Sequence, residues 1–271
     1  MLLSTASPRP SSLIFTLYGD LVHRFGESLR IGSLIRLMAP FGLSPAAVRQ
    51  AVSRMVRQGW LVARPEEGRA VYAVSERGRR RIAALSPRIY GPLVEWDGRW
   101  RLLVYRIPED RRDGRDRLRK ELAVLGWAPL ATATWISPRD SVAEALEVAR
   151  SAGIADGLVS FEGPSRGPLS DRALVERCWD LAAIAAAYRR FLASYRPRLE
   201  AERTRPVLSD EEAFVERLLL LHDFRKFTYL DPGLPSALLP AHWPGTAAAA
   251  LFRDYYALLE DRATTFFRSA A

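Results

Sequence analysis

Apolar side chains recur every three or four positions over residues 13–25, a spacing that predicts an amphipathic helix of about four turns. The stripe consists of Leu13, Ile14, Leu17, Tyr18, Leu21, Val22 and Phe25. Ser11-Ser12 offers the N-cap, and Gly26 ends the helix. A second, shorter apolar pattern over residues 34–38 follows a Ser33 cap and stops at Pro40-Phe41-Gly42. So short a helix must pack on its neighbours to be stable.

The run Leu43-Ser44-Pro45 predicts the start of a third helix, because Ser44 can cap free amides and Pro45 fits the first helical position. Its inward stripe is Val48, Val52, Met55 and Val56. Its other surfaces carry Arg49, Gln50, Ser53, Arg54 and Arg57. Two short helices joined by a tight glycine turn, the second with a polar and basic free face, predict a helix-turn-helix.

Gly59 ends this helix, and a hairpin pattern follows it. The strands Trp60–Arg64 and Arg69–Val74 bracket the turn Pro65-Glu66-Glu67-Gly68, which predicts a wing with Arg64 and Arg69 near its tip. Leu61 and Val71 are assigned to the core, and a helix over 76–85 carries four more arginines. We therefore predict a disordered segment over 1–10 and a winged helix-turn-helix domain over 11–90.

The middle of the chain predicts an alternation of strands and helices. Strand patterns cover Trp100–Ile107, Trp127–Leu130, Thr132–Ile136 and Gly157–Phe161. Asp113 caps a helix with Leu118, Leu122 and Leu125 inward, and a second helix covers Val142–Ala152. The order β-α-β-β-α-β predicts a ferredoxin-like domain over 96–165. That fold hosts many activities, so it says little about function.

From Asp171 onward the pattern is helical, which predicts a helical effector or dimerisation domain over 170–271 and an α+β protein overall. Pro197 and Pro206 are expected to break the helices, and Ser209 with Glu212 forms a capping box. A last helix carries Leu251, Phe252, Tyr255, Leu258 and Leu259. These apolar stripes are assigned to the core, although any of them can serve as a dimer face.

Charge is distributed unevenly along the chain. Residues 1–90 contain fourteen Arg and five acidic residues, whereas residues 91–271 contain 26 basic and 26 acidic residues. Surplus positive charge confined to one segment attracts a polyanion, so the predicted partner is double-stranded DNA. Arg49, Gln50 and Ser53 are the predicted base readers, and Ser44, which begins their helix, is a further predicted DNA-binding residue. The predicted backbone contacts are Arg36, Arg54, Arg57, Arg64 and Arg69.

Catalytic and metal chemistry find little support in the sequence. One cysteine, Cys178, and three histidines, His23, His222 and His242, make neither a disulfide nor a usual zinc site, and no cofactor is predicted. The pair His222-Asp223 lacks the further ligands of a metal-dependent phosphohydrolase. No apolar run is long enough for a membrane span and no secretory signal is evident, so a cytoplasmic location is expected.

One enzymatic alternative is a metal-dependent nuclease or RNA-processing enzyme built on the middle domain. The strand Leu103–Ile107 resembles the first strand of the ferredoxin-like nuclease subunit used in CRISPR spacer acquisition. Where that subunit has an aspartate, this chain has Arg106, and a cation cannot ligate Mg²⁺. A further alternative, an architectural DNA-binding protein, differs from a repressor only in having no effector. We predict that the chain is not an enzyme.

Several runs together resemble the PaaX family of bacterial repressors of phenylacetic acid degradation. They are 32–44, 47–55, 58–61, 100–108, Gly126-Trp127, 134–140, 222–227, 231–232, 234–235, 238–240 and 243–245. The resemblance implies a homodimer on a palindromic operator, released by phenylacetyl-coenzyme A. Such an effector needs cations for its phosphates and an aromatic pocket for its acyl end. The residues that suit it are Trp135, Arg139, His222, Arg225, Lys226 and Trp243.

Overall fold

The computed structural model describes residues 8–25, 28–91, 95–205 and 208–271. Three predictions fall wholly or partly on the other residues: the helix end at Gly26, the break at Pro206, and residues 1–7 of the predicted disordered segment. Strands and helices are both present, and the strands form two small antiparallel sheets.

The α-helices are α1 Pro10–Leu17, α2 His23–Phe25, α3 Ile31–Met38, α4 Pro45–Arg57, α5 Glu76–Tyr90, α6 Arg112–Val124, α7 Val142–Ser151, α8 Asp171–Cys178, α9 Leu181–Thr204, α10 Asp210–Phe224, α11 Phe227–Leu230, α12 Pro244–Leu258 and α13 Glu260–Ala270. A π-helix covers Tyr18–Val22, and 3₁₀ turns cover Ala39–Phe41, Glu109–Arg111, Ala155–Gly157 and Ser236–Leu238. Within the described ranges, no individual helix combines the length and apolar character needed to cross a membrane.

The strands are β1 Ser28–Arg30, β2 Leu61–Glu66, β3 Arg69–Val74, β4 Trp100–Tyr105, β5 Ala128–Ala131, β6 Thr134–Ser137 and β7 Leu158–Gly163. The chain divides into two compact units. The first comprises residues 1–90, 187–226 and 244–271, and the second comprises residues 91–186 and 227–243.

The first unit is built on one apolar core that α1, α3 and α4 share with α10 and α13. Leu17, Leu34 and Val48 are fully buried there together with Phe214 and Phe267. The predicted stripe of the first helix is buried as expected, apart from Phe25, which is 37% exposed.

Two of the caps predicted for the first unit are wrong. α1 begins at Pro10 with Arg9 in the N-cap position and no capping side chain. Proline at the first position explains the earlier start, because its missing N–H needs no partner there. Likewise, α3 begins at Ile31, and Ser33 lies inside it, where its hydroxyl donates to the carbonyl of Ala271 (2.6 Å).

A tight turn separates α3 from α4. Gly42 adopts φ +73°, a left-handed conformation that favours glycine, and the segments Ile31–Phe41 and Pro45–Arg57 lie at 119° to each other. The predicted cap of α4 is confirmed, since the Ser44 hydroxyl accepts from the Ala47 amide (3.2 Å). The inward stripe of Val48, Val52 and Met55 is buried as expected.

A three-stranded sheet in the order β1-β3-β2 completes the N-terminal part of this unit. The predicted four-residue turn is too long: β2 and β3 pair out to Glu66 opposite Arg69, leaving only Glu67 and Gly68 in the turn. Both have positive φ, 49° and 73°, as the favoured two-residue hairpin turn requires. Leu61 and Val71 are buried as predicted. Strand β1 was not predicted, because three residues carry no periodic signal.

Two helices run through prolines: α5 was predicted to end at residue 85, and α9 was expected to break at Pro197. α5 passes Pro87 and reaches Tyr90, whose ring packs against Phe252 and Tyr256 (centroids 6.1 and 5.7 Å apart). α9 continues through Pro197, and Tyr195 and Leu199 on either side are buried. Packing on both sides of each proline offsets the lost backbone hydrogen bond. The predicted last helix is in fact two, α12 and α13.

The second unit contains a four-stranded antiparallel sheet in the order β5-β6-β4-β7. α6 and α7 pack on one face through a core that includes Leu103, Leu118, Leu122, Trp135 and Ala149. Asp113 is not the cap of α6, because a 3₁₀ turn over Glu109–Arg111 leads directly into a helix that begins at Arg112. Strand bounds differ from the predicted ones by at most two residues.

Candidate nucleic-acid interface

Helix α4 presents one apolar face to the core and polar side chains to solvent. Val48, Ala51, Val52 and Met55 are buried. The predicted base readers Arg49, Gln50 and Ser53 are exposed, as are Arg54 and Arg57 in the second half of the helix. All five predicted contacts on α4 are therefore accessible from outside the protein.

The arginines of the first ninety residues differ in their partners. Arg24, Arg30, Arg79 and Arg80 form ion pairs with Glu260, Glu67 and Glu76. The exposed side chain of Arg9, before α1, has no hydrogen bond, ion pair or ring contact to any described residue. The same is true of the exposed side chains of five arginines on α4 and the β2–β3 hairpin: Arg49, Arg54, Arg57, Arg64 and Arg69. We call these five the open arginines. Three lie on α4 and two on the β2–β3 hairpin, so their guanidinium donors are available to an external acceptor.

Arg36 is engaged within the protein. Its Nε donates to the carbonyl of Ala270 (3.0 Å) and one Nη donates to the carbonyl of Ala271 (3.2 Å) and to the Ser33 hydroxyl (3.1 Å). These bonds tie α3 to the end of α13. A phosphate would have to compete with them for the same guanidinium.

The junction between α4 and the hairpin is fixed by ring contacts. The Trp60 amide donates to the Met55 carbonyl (2.9 Å), and its ring meets Phe15 edge-on (5.6 Å). The Arg77 guanidinium lies 4.2 Å from the Trp60 ring centre and donates to the Gln58 carbonyl (2.9 Å). Contacts of Trp60 with Phe15, Met55 and Arg77 thus fix the position of the hairpin relative to α4.

Three of the predicted effector residues come together in the first unit. Arg225 donates to the Thr16 hydroxyl (2.8 Å) and to the carbonyl and hydroxyl of Ser12 (3.0 and 2.5 Å). The Nδ1 atom of His222 lies 3.3 Å from the same Thr16 hydroxyl. Burial, helped by the nearby Arg225 and Lys226 cations, lowers the pKa of His222 to about 3, so its imidazole is neutral at physiological pH. These contacts join α10 to α1.

The pair His222-Asp223 is occupied by structural partners. The Asp223 carboxylate accepts from the Tyr195 hydroxyl (2.8 Å) and from the Lys226 ammonium (2.6 Å). In the part of the chain that the structure describes, no three His, Cys, Asp or Glu side chains are grouped so that they could hold a metal ion. Arg106, just after β4, is exposed.

The other three predicted effector residues lie in the second unit. Trp135 is buried in the core of that unit, and its backbone pairs with Leu103. Arg139 is half-buried, and its guanidinium donates to the Pro232 carbonyl (3.4 Å). Burial lowers the pKa of Arg139, and no described carboxylate lies within ion-pair distance of it. Trp243 is buried.

Sequence reasoning missed a buried ion pair in the first unit. The Arg217 Nε and Nη2 atoms donate to the two oxygens of Asp20 (3.1 and 3.2 Å), and both side chains are fully buried. The Tyr256 hydroxyl donates to Asp20, and its ring centre lies 3.5 Å from the Arg217 guanidinium carbon. Asp20 lies within the stretch predicted as the first helix. The one sequence signal for its ion pair with Arg217 is that a charged residue stands among the buried positions of that helix, where it needs a partner.

Comparisons with known proteins cover nearly the whole chain. Residues 9–78 match a PaaX-like protein family, residues 93–175 the PaaX protein central Cas2-like domain, and residues 179–269 the PaaX-like protein C-terminal domain. The Escherichia coli K12 protein "Transcriptional repressor PaaX" is 35% identical over 267 residues, covering 94% of this chain and 82% of that protein.

A solved structure has a similar fold. The uncharacterized protein Rv0674 from Mycobacterium tuberculosis superposes with a TM-score of 0.62 at 22% identity, covering 96% of this chain and 99% of that one. The predicted resemblance is confirmed by the relatives. The prediction that the chain is not an enzyme agrees with the E. coli protein, whose name is that of a regulator. The chain is a member of the PaaX family.

Proposed function

We propose that this protein is a DNA-binding transcriptional repressor of a phenylacetate-type catabolic operon. The observation that carries the proposal is the set of open arginines on α4 and the hairpin. Exposed arginines whose side chains have no described partner also occur outside this segment, as at Arg106 and Arg189. What distinguishes the open arginines is that all five lie on one helix and the hairpin that follows it, in the part of the chain that carries the surplus positive charge. Five such guanidiniums next to exposed polar side chains suit the phosphates and base edges of a duplex.

The arrangement of α3, the Gly42 turn, α4 and the hairpin supports a winged helix-turn-helix. The angle of 119° lies within the range of such motifs. In this interpretation α4 is the recognition helix in the major groove, and Arg64 and Arg69 place the hairpin on the backbone. In the second unit, the strand order β5-β6-β4-β7 with two helices on one face is the order of a ferredoxin-like sandwich.

The proposed effector is an aryl-acyl-coenzyme A such as phenylacetyl-coenzyme A. In the second unit, Arg139 supports an anion contact, because its half-buried guanidinium donates to a carbonyl and forms no ion pair with a described carboxylate, although the charges of Asp231 and Glu144 act on it from further away. In the first unit, Arg225 and Lys226 lie near the neutral His222. Lys226 is paired with Asp223 and Arg225 donates to Ser12 and Thr16, so an effector phosphate would compete with those partners. Effector binding would lower the affinity of α4 and the hairpin for the operator.

Salt dependence tests the proposal. Replacing Arg64 and Arg69 together by Gln removes two phosphate contacts, so the slope of log K against log salt should become shallower by about 1.8. Fluorescence anisotropy of labelled operator between low and moderate salt measures that slope. The matched control is Arg189→Gln, an exposed arginine of α9, which should leave the slope unchanged. Equal slopes for all three proteins would contradict contact between the hairpin and the backbone.

A homodimer on a palindromic operator requires a two-fold surface, and β7 is suited to form one. It is an edge strand, with Val159 and Phe161 55% and 58% exposed and Val104 of β4 37% exposed beside them. An exposed apolar edge strand is a template for pairing with another chain. Pairing two copies of β7 antiparallel about Ser160 sets Val159 opposite Phe161 twice, which is a favourable cross-strand pair.

Phe161→Asp is therefore expected to weaken self-association about tenfold or more, because two carboxylates would enter the apolar centre of the pair. Size-exclusion chromatography with light scattering over a dilution series gives the dissociation constant. Leu169→Asp is the matched control, since Leu169 is 47% exposed and lies outside the sheet. A Phe161→Asp protein that dimerises like the control would place the dimer surface elsewhere.

A further inference from the structure

One face of the three-stranded sheet in the first unit carries three arginines. Arg30 of β1 and Arg64 of β2 both lie directly opposite Val71 of the central strand β3, so the three side chains stand in one row on the same face. Arg69 is two residues before Val71 on β3 and therefore projects from that face as well. Since Arg64 and Arg69 are open arginines, Arg30 shares a surface with two of the cations assigned to DNA.

Arg30 differs from its two neighbours because a carboxylate neutralises it. Its Nη2 atom donates to Oε2 of Glu67 (3.0 Å), the first residue of the hairpin turn. The Glu67 side chain is 81% exposed and that of Arg30 44%, so the pair lies at the surface. Exposed ion pairs contribute little to folding stability, and the fold alone therefore gives little reason for this one.

The backbone at Glu67 also points to a role other than folding. Glu67 adopts φ +49° and Gly68 φ +73°, in a two-residue hairpin turn that favours the sequence Asn-Gly. Asparagine tolerates this left-handed region far better than glutamate does. Departures from local preference are expected at functional positions. Because Glu67 stands at the tip of the hairpin that carries Arg64 and Arg69, we look for its role in the charge of that surface.

A carboxylate at this position acts on a polyanion in two ways. Its own negative charge repels phosphates, and its ion pair occupies the Arg30 guanidinium, which would otherwise be a third free cation on the face. A contact to phosphate adds to the affinity for any duplex, whatever its sequence. The pair with Glu67 therefore removes one phosphate contact from the sequence-independent part of DNA binding.

We propose that Glu67 is a selectivity-determining residue of the hairpin, which masks Arg30 and so limits the sequence-independent affinity for duplex DNA. With one backbone contact fewer, base contacts from α4 supply a larger share of the binding free energy. The inference rests on the proposed function for its DNA half. The masking of Arg30 is a property of the first unit toward any polyanion.

Glu67→Gln and Glu67→Asn test the masking. Both remove the carboxylate, and asparagine also suits the left-handed turn, so a folded variant remains if glutamine disturbs the hairpin. Fluorescence anisotropy with a duplex of random sequence measures the affinity and its salt dependence. Retention on immobilised heparin, a polyanion without base pairs, gives the same comparison without DNA. The matched control is Glu147→Gln, which frees Arg150 from a similarly exposed ion pair in the second unit. Circular dichroism establishes that each variant is folded.

Each folded Glu67 variant should bind the random duplex about three- to tenfold more tightly than the wild-type protein at low salt. The slope of log K against log salt should become steeper by about 0.9, because one more phosphate contact releases more counterions. Elution from heparin should shift to higher salt, whereas Glu147→Gln should match the wild type in both measurements. Unchanged binding by the folded Glu67 variants would overturn the proposal. An equal gain by the control would also overturn it, since net charge alone would then explain the effect.

Combining Glu67→Gln with Arg30→Gln separates the two ways in which the carboxylate acts. The double variant has lost both charges of the pair, so its affinity for the random duplex should return to within about twofold of the wild-type value. A double variant that kept the full gain would show that Arg30 makes no phosphate contact and would overturn the masking. The two proposals fail separately, because a protein without preference for any operator still gives a decisive comparison on the random duplex and on heparin.

Discussion

Asp20→Ala is expected to lower the free energy of unfolding by about 3–5 kcal/mol, the largest effect of any single substitution considered for this protein. The variant leaves the Arg217 guanidinium fully buried without its carboxylate partner and removes the acceptor of the Tyr256 hydroxyl. Glu260, 3.8 Å from Arg217 and 35% exposed, is too distant and too solvated to replace Asp20. Equilibrium unfolding in urea measures the loss.

Two controls separate a buried unpaired charge from a general effect of mutation. Glu76→Ala breaks an exposed ion pair with Arg79 and should cost no more than about 1 kcal/mol. Asp20→Leu combined with Arg217→Met replaces both charges by apolar side chains and should recover most of the stability. If Asp20→Ala cost no more than Glu76→Ala, the pair would be solvated rather than sealed in the core.

Local signals in the sequence predicted local structure well. Ser44 caps α4 with its hydroxyl, and the ring of Pro45 fits the first helical position, as predicted. The predicted capping box of Ser209 and Glu212 is also present. In both cases the residues that decide the structure are three or fewer positions apart. The length of the hairpin turn was predicted wrongly because Glu67 adopts a positive φ, a conformation that a glutamate in the sequence does not indicate.

Long-range pairing could not be predicted in this way. Asp20 and Arg217 are 197 residues apart, and nothing in either neighbourhood indicates the other. For the same reason the sequence did not indicate that α10 and α13 share a core with α1 and α4. Pro197 was expected to break its helix because proline acts locally, and the helix that became α5 was predicted to end at residue 85, whereas the packing that carries α5 and α9 further comes from distant rings.

Charge counting along the chain located the basic segment but overstated how much of its charge is available. Glu260 from α13 pairs with Arg24, and Arg36 is held by carbonyls at the end of the same helix. What remains for a polyanion is the set of open arginines. For the predicted effector residues, the sequence pattern could not distinguish a core residue from one that lines a depression. Trp135 is in the core of the second unit, whereas Arg225 lines a depression in the first.

Arg49→Ala is expected to weaken binding to the operator by about 1–3 kcal/mol and to relax the base preference at one position in each half-site. Arg49 lies on the first turn and a half of α4, exposed and without a described partner, and the N-terminal half of a recognition helix is the part that reaches base edges. A guanidinium there can donate to both O6 and N7 of guanine, which alanine cannot replace. Anisotropy titrations with operator and with every single-base variant of one half-site measure both effects.

Arg57→Ala provides the matched comparison, because Arg57 is equally exposed and equally without a described partner but lies at the last residue of α4. A phosphate contact at that end should reduce affinity for operator and scrambled duplex by similar factors and make the salt slope shallower by about 0.9. Arg49→Ala should instead lose far more on the operator than on the scrambled duplex, since only the operator supplies the guanine. If both variants lost equally on the two duplexes, Arg49 would be a backbone contact, and base reading would rest on Gln50 and Ser53.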